Sequence, residues 1–163
     1  MHAAPTPKGT LSRERLLDAG IELMRTSGLT GAGINEIVRA SGAPKGSVYH
    51  HFPGGKQQIA TEALARYRVR VADFIAAAMA RGRTPGGRVR ALFAAFAERL
   101  AASEFRRSCA AAAVCLDLDD ESLALRQPVA EALTAWTEVI AQGLGLPDAR
   151  RARPLAGLVL SAI

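Results

Sequence analysis

Cysteine is nearly absent. The 163 residues hold two, Cys109 and Cys115, too few to staple a secreted miniprotein. Six residues of helix turn through about 600°, so on one helix the two thiols point apart. They read as buried, reduced thiols of a cytosolic protein. Long apolar runs are missing too. The longest, Leu155–Ile163, is too short to span a bilayer, which takes about 18 residues or more. The opening MHAAPTPKGTLSRERLLDAG has no apolar h-region, so no secretory signal is expected. Glycine (15) and proline (8) are near average, which excludes collagen-like and low-complexity classes. Among catalytic signatures, Gly-x-Ser-x-Gly does not occur. Gly55-Lys56 lacks the phosphate-loop spacing, with Gln57 where a Ser or Thr is needed.

What is present is a chain with enough apolar residues for a buried core, 49% hydrophobic against 22% charged. Lys and Arg number 21 against 15 Asp and Glu, and the excess favours an anionic partner such as nucleic acid or an acidic membrane surface. Residues 1–9 read as a flexible arm, and Thr10 or Ser12 is placed to cap a first helix. Leu17, Gly20, Ile21 and Met24 fall at i, i+3, i+4 and i+7, and Gly28 ends that helix. A second short helix turns Ile34, Ile37 and Val38 inward and stops at Ser41-Gly42. Pro44 opens a brief third helix to about His51, which Pro53-Gly54-Gly55 breaks.

Beyond Lys56 the pattern lengthens. Ala60, Ala63, Leu64, Tyr67, Val71, Phe74, Ile75 and Ala78 keep one stripe. After the turn GRTPGG, Val89, Leu92, Phe93, Phe96 and Leu100 mark another helix. A short buried helix is expected around Cys109–Leu116, then an acidic link, Asp117–Glu121. Val129, Ala132, Leu133, Trp136, Ile140 and Leu144 mark a further helix, with Pro128 in its first turn or at a kink. No stretch alternates with period two for strand length. The fold class is all-α.

The second and third helices, joined across Ala40-Ser41-Gly42-Ala43, form a helix-turn-helix. A recognition helix sits in the major groove only when a preceding helix braces it through a tight turn. Gly42 supplies the turn, and Ile34, Ile37, Val38 and Val48 supply the brace. Lys45, Ser47, Tyr49, His50 and His51 face outward as phosphate and base-edge donors.

The run GINEIVRASGAPKGSVYHHFPGGK, residues 33–56, resembles the TetR family of transcriptional regulators. Its family pattern is a glycine turn, then Lys-Gly-Ser/Thr-aliphatic-Tyr, an aromatic or His-His pair, Phe, and a lysine opening a long fourth helix. The Ala-Pro-Lys-Gly-Ser variant followed by His-His-Phe-Pro-Gly-Gly-Lys is similar to the LmrA/YxaF-like branch, as, more loosely, are SCAAAAVCLDL (108–118) and Trp136. The resemblance implies a helix-turn-helix DNA-binding domain over 10–55 and a helical regulatory and dimerisation domain over 56–163. It also implies a cytoplasmic bacterial homodimer that binds a near-palindromic operator, represses transcription and answers a small molecule. Two positions depart from the pattern. Gly33 replaces a Ser or Thr cap and forfeits a hydroxyl, and Pro44 replaces a polar cap.

Lys45 and Lys56 stand at helix starts, where lysine opposes the helix dipole and serves stability poorly; they read as phosphate clamps, with surface lysines as the plainer alternative. The amides around Gly54-Gly55 are a further phosphate candidate. Gly46 lets the backbone approach the duplex. Tyr49 reaches a phosphate while its ring packs, with a core role as its rival; His50 touches phosphate or base, His51 has capping of the helix end as its alternative, and Phe52 belongs to the core. With Gly33, Pro44, Ser47 and His51 these make the DNA-binding set. Tyr67, Phe74, Phe93, Phe96, Phe105 and Trp136 are candidates for the ligand walls, with a core role as the alternative for each. Few polar residues interrupt their stripes, so the ligand is expected to be apolar or aromatic.

Metal and enzyme readings are weaker. His50 and His51 lie about 100° apart on a helix, whereas a helical metal pair needs i, i+4. The acidic link lacks the glycine and the closing glutamate of a calcium loop. No metal and no cofactor is expected. Two rivals remain: a helical interaction protein that keeps the fold without binding DNA, and a small helical enzyme using Cys115 or the acidic link. The apolar run to Ile163 implies either a continuing chain or a last segment packed in a dimer interface.

Overall fold

The computed structural model describes residues 7–163 apart from Glu121, with side chains described from Thr10 onward. Among the described residues there is no strand. In chain order the helices are α1 (Pro7–Gly31), α2 (Ile34–Ser41), α3 (Lys45–His51), α4 (Gly55–Met79), α5 (Pro85–Ala102), α6 (Ala110–Leu116), α7 (Arg126–Leu144) and α8 (Ala149–Ser161), with a 3-10 turn at Leu123–Leu125.

These helices sort into two compact units. The first comprises the chain up to Ala65 together with Ser108–Val129; the second comprises Arg66–Arg107 and Ala130–Ile163. α4 and α7 each contribute residues to both.

In the first unit α1 packs on α2, α3 and α6. The apolar stripe closes a core of Leu16, Met24, Ile37, Val48, Phe52, Ile59 and Leu64, all fully buried. α1 begins at Pro7, where a missing amide is harmless, so neither Thr10 nor Ser12 is its cap, as the sequence had suggested. The first six residues of the expected arm lie outside the described residues. Gly28 interrupts α1 with φ 70° and ψ −176°, the left-handed backbone that glycine adopts without penalty.

The second unit is built around Trp136, Ile75, Met79, Leu92 and Ile140. The Trp136 indole N–H donates to the Arg68 carbonyl at 2.9 Å, and its ring meets Tyr67 edge-on with centroids 5.9 Å apart. Thr84 caps α5 by accepting from the Gly87 amide, with Pro85 following it. Asp148 caps α8 by accepting from the Arg150 amide at 2.9 Å. Pro128 falls in the first turn of α7, where it leaves the helix unkinked.

Two expectations are corrected by packing. α6 buries Ala110, Ala111 and Val114, so Cys115 and Leu116 fall on its opposite face. Cys115 is therefore exposed and Cys109 half-buried, rather than both being core thiols. Phe105 is 77% exposed. After α5, Glu104 and Phe105 both take left-handed backbone (φ 51° and 59°), and the Phe105 amide bonds back to the Leu100 carbonyl at 2.9 Å. That turn points the ring outward, away from any inner wall of this chain.

Candidate nucleic-acid interface

The turn between α2 and α3 follows from two small residues. Gly42 sits at φ 64° and donates its amide to the Val38 carbonyl, closing α2. The Ser41 hydroxyl donates to the same carbonyl at 3.1 Å and accepts from the Ala43 amide at 3.2 Å. The chain then runs extended through Pro44 (φ −60°, ψ 138°), which caps α3 rather than lying in its first turn. Gly33 caps α2 without a side-chain hydrogen bond, as expected of a residue with no hydroxyl.

α3 has two faces. Val48 and the following Phe52 are fully buried. Lys45, Gly46, Tyr49 and His50 are exposed, Tyr49 by 57%. Ser47 and His51 are half-buried at the border, and the Ser47 hydroxyl donates to the Pro44 carbonyl at 2.7 Å. A Cβ built at Gly46 meets nothing within 4 Å, so the fold itself does not require a glycine there.

His51 sits among other groups. Its ring lies edge-on to His50 at 4.9 Å and to Phe52 at 6.4 Å. Partial burial holds its pKa below the ordinary histidine value, helped by the charges of His50 and Arg13.

Behind α3, Arg13 of α1 stacks its guanidinium over the Phe52 ring at 5.0 Å and pairs with Glu62 of α4. Glu62 also accepts from the Gln58 amide nitrogen at 2.9 Å. The Gln58 carbonyl oxygen in turn accepts from the Gly54 amide at 2.9 Å. This chain of polar contacts fixes the start of α4 relative to α1. It also corrects one expectation: the Gly54 amide is taken by Gln58 and the Gly55 amide by the Phe52 carbonyl at 2.9 Å, so neither is left for a phosphate. Lys56, half-buried at the start of α4, lines an open cleft of about 370 Å³ with Leu29, Thr30, Gln57, Asp117 and Leu125.

Arg13, Glu62 and Gln58 were not singled out from the sequence. Their only signal was a glutamine four residues beyond Gly54, a reach that serves a helix start as well as a solvent-facing side chain.

In the second unit the aromatic residues gather in pairs. Phe74 and Phe96 meet edge-on at 5.0 Å, and Arg99 covers Phe74 at 4.0 Å. Tyr67, Phe74, Phe93 and Phe96 are half-buried, whereas Trp136 is core, 2% exposed. Among the described residues no group of three or more His, Cys, Asp or Glu side chains is placed to hold a metal ion. No helix there is long and apolar enough to cross a membrane.

Comparison with known proteins joins these observations. Residues 16–63 match the family model of bacterial regulatory proteins of the tetR family. Residues 85–163 match that of the C-terminal domain of LmrA/YxaF-like transcriptional regulators. The chain is 32% identical over 133 residues to the HTH-type transcriptional regulator LmrA of Bacillus subtilis, covering 82% of this chain and 71% of that protein. It is 34% identical over 161 residues to an uncharacterised HTH-type transcriptional regulator of Mycobacterium tuberculosis strain H37Rv, covering 93% and 79%. A crystal structure of a TetR regulatory protein from Rhodobacter sphaeroides superposes with a TM-score of 0.75 at 25% identity, over 93% of this chain and 88% of that one. The helix-turn-helix, the all-helical second half and these relatives agree: the chain belongs to the TetR family of transcriptional regulators, a non-enzymatic family, and carries a C-terminal domain of the LmrA/YxaF-like kind.

Proposed function

We propose that this regulator is a cytoplasmic repressor that binds a near-palindromic operator as a homodimer and is released by a small apolar or aromatic ligand. Residues 10–55 form the reading head and 56–163 the regulatory and dimerisation half. The observation that carries the reading is the division of α3 into a buried row and a donor row. Val48 and Phe52 anchor the helix, while Lys45, Gly46, Tyr49 and His50 are exposed on its outer side. Such a helix matches the width of the major groove and offers phosphate and base-edge donors to it.

The roles follow from chemistry. Lys45 and Lys56 neutralise phosphates. Tyr49, with its ring largely outside the core, donates its hydroxyl. His50 reaches a base edge or phosphate, with Ser47 and His51 at the border. Gly46, which the fold does not need, allows the duplex backbone close to α3. Gly33 and Pro44 shape the two helix starts without side-chain donors. Two copies related by a two-fold axis set their recognition helices roughly 34 Å apart, and operator symmetry follows.

For the ligand, Tyr67, Phe74, Phe93 and Phe96 remain wall candidates because each is half-buried. Trp136 supports them from the core, and Phe105 serves only if a second copy covers it. A ligand releases the operator by its differential affinity for the two states, typically about 1–3 kcal/mol.

Selection of bound sequences from a random duplex pool tests the reading. An inverted repeat is expected among the recovered sequences. The logarithm of the binding constant should fall with the logarithm of salt by about 0.9 per phosphate contacted. A chain indifferent to every duplex favours the interaction-protein alternative instead.

A further inference from the structure

The turn that leaves the recognition helix is held by one side chain of α1. The turn is short. The Phe52 amide closes α3 on the Val48 carbonyl at 2.7 Å, and the Phe52 carbonyl accepts from the amide of Gly55, the first residue of α4, at 2.9 Å. Gly55 takes left-handed backbone (φ 60°), which glycine adopts without penalty. The angle between α3 and α4 is therefore set within Phe52–Gly55. Arg13 reaches this turn by two routes. Its guanidinium lies 5.0 Å from the centre of the Phe52 ring and pairs with Glu62. Glu62 accepts from the Gln58 amide nitrogen, and the Gln58 carbonyl oxygen accepts from the Gly54 amide, each at 2.9 Å. α1 itself packs on both α2 and α3, so Arg13 is based on the helix that braces the reading head.

Stability alone is a weak reason for this arrangement. Arg13 and Glu62 are both half-buried, and an ion pair that reaches solvent adds little to folding. A planar guanidinium that stacks on a ring and binds a carboxylate is better suited to fixing a geometry. Geometry matters here because donors stand on both sides of the turn. Lys45, Tyr49 and His50 are exposed on α3, and Lys56 lies in the first turn of α4. The phosphates and base edges of a duplex have fixed spacings, so one set of donors meets its targets only when the other set is in register. All of these residues lie within the first compact unit.

We propose that Arg13 is a specificity-determining positioning residue: by holding Phe52 and, through Glu62 and Gln58, Gly54, it sets the register between the donor row of α3 and Lys56. The proposal rests on the operator reading above. With its guanidinium engaged by Phe52 and Glu62, Arg13 reaches the duplex only through those donors. Its effect therefore falls on discrimination between sequences. Attraction to arbitrary duplex needs charge alone and tolerates a loose register, whereas one chosen sequence does not.

Binding by the full chain tests it with two probes, the inverted-repeat duplex recovered by selection and a duplex of scrambled sequence. Arg13→Met keeps an apolar stem over Phe52 and removes the charge and the donors. It is expected to lose about tenfold or more in operator affinity. On the scrambled duplex it should stay within about threefold of wild type, with a salt slope within about half a unit. Arg13→Lys, which keeps the ion pair, should lose no more than about threefold on either. Equal losses on both duplexes overturn the proposal. So does a scrambled-duplex slope lower by about one unit, which would make Arg13 a phosphate contact in its own right. A second arm needs no DNA. Exchange of the Gly54 amide, followed by NMR, should quicken about tenfold in Arg13→Met and stay within about twofold in Arg13→Lys. Unchanged exchange in Arg13→Met overturns the hold on the turn. A wild-type chain that prefers no duplex fails the operator reading instead, and Gly54 exchange still decides whether Arg13 holds the turn. If Arg13→Met does not fold, Gln58→Ala, which cuts only the last link, takes its place. It should quicken Gly54 exchange and lower operator affinity by about threefold or more with the scrambled duplex unaffected; unchanged operator affinity overturns the proposal.

Discussion

α3 and α8 both leave several side chains outside the core, but they sort them in opposite ways. α3 turns Val48 inward and keeps Lys45, Gly46, Tyr49 and His50 outside. α8 does the reverse with its apolar residues. It buries the small Ala152 and Ala156 and leaves Leu155 45% and Leu158 68% exposed. Ile163, just beyond it, is 41% exposed. α7 adds Leu133 at 42%. A helix that buries alanines and keeps its leucines out offers an apolar face to whatever covers it, further chain or a second copy, since large apolar groups gain most from leaving water. The polar row of α3 is shaped for an anion. One molecule thus carries two addresses, and they can be broken separately.

The largest effect should come from the apolar address. Leu158→Glu places a charge where two copies would meet and removes a side chain worth about 1.5–3 kcal/mol when fully buried. Self-association, followed by sedimentation, should weaken by about 100-fold or more. Operator affinity should fall with it, because two half-sites would no longer be engaged by a linked pair. The melting temperature extrapolated to low protein concentration should stay near wild type, since the residue is exposed in the single chain. Unchanged association would remove α8 from the interface.

The polar address should break more gently. Lys45→Ala should weaken binding to every duplex sequence alike and reduce the salt slope by about one unit. Self-association should not move. A variant with the wild-type salt slope would take Lys45 out of the contact set, and α3 would then rest on Tyr49 and His50.

The two addresses were not equally legible in the sequence. The helix-turn-helix was, because its signals are local. Gly42 needs a left-handed turn, Pro53-Gly54-Gly55 ends a helix, and Val48 and Phe52 are apolar in a polar run. The long stripes of α4, α5 and α7 were legible for the same reason. What escaped was set by contacts far apart in the chain. Nothing near Asp117 or Ser108 announces their hydrogen bonds to the Thr30 amide and the Arg25 carbonyl, and an acidic link reads the same whether it faces water or a helix end. Gln58 closes off the Gly54 amide only because the turn brings it back. Cys115 was misread because alanine satisfies either face of a helix. The inward side of α6 was fixed by α1, not by the periodicity of AAAAVCL. Phe105 was misread because a lone aromatic between helices gives no sign of a left-handed turn.

Gly46 sharpens the polar half of the comparison with a change of opposite sign in stability and binding. A Cβ there meets open space, and alanine favours a helix interior over glycine by about 0.5–1 kcal/mol. Gly46→Ala should therefore raise the melting temperature slightly. If the duplex backbone comes close to α3 at this point, the added methyl group meets it, and affinity should fall while stability rises. Gains in both would mean that the duplex keeps its distance from Gly46.

The smallest effect concerns protons. His51 holds its pKa below the usual histidine value because it is partly buried beside Phe52, with His50 and Arg13 adding positive charge nearby. In the unfolded chain it takes a proton as pH falls through about 6.5, while in the fold it stays neutral to lower pH. The unfolded state then binds more protons, so this contribution to stability is fully present only above about pH 6.5 and is lost as pH falls from there to the lowered value. On the proposed docking of α3, binding should run the other way, because a protonated His51 at the border of the donor row would meet phosphate. Thermal unfolding of the full chain across this range, with His51→Asn beside wild type, separates the two. The variant should flatten the acid loss of stability and, with duplex present, reduce proton uptake on binding. A flat profile in the wild type would place His51 in water, outside both the packing of Phe52 and the reach of the duplex.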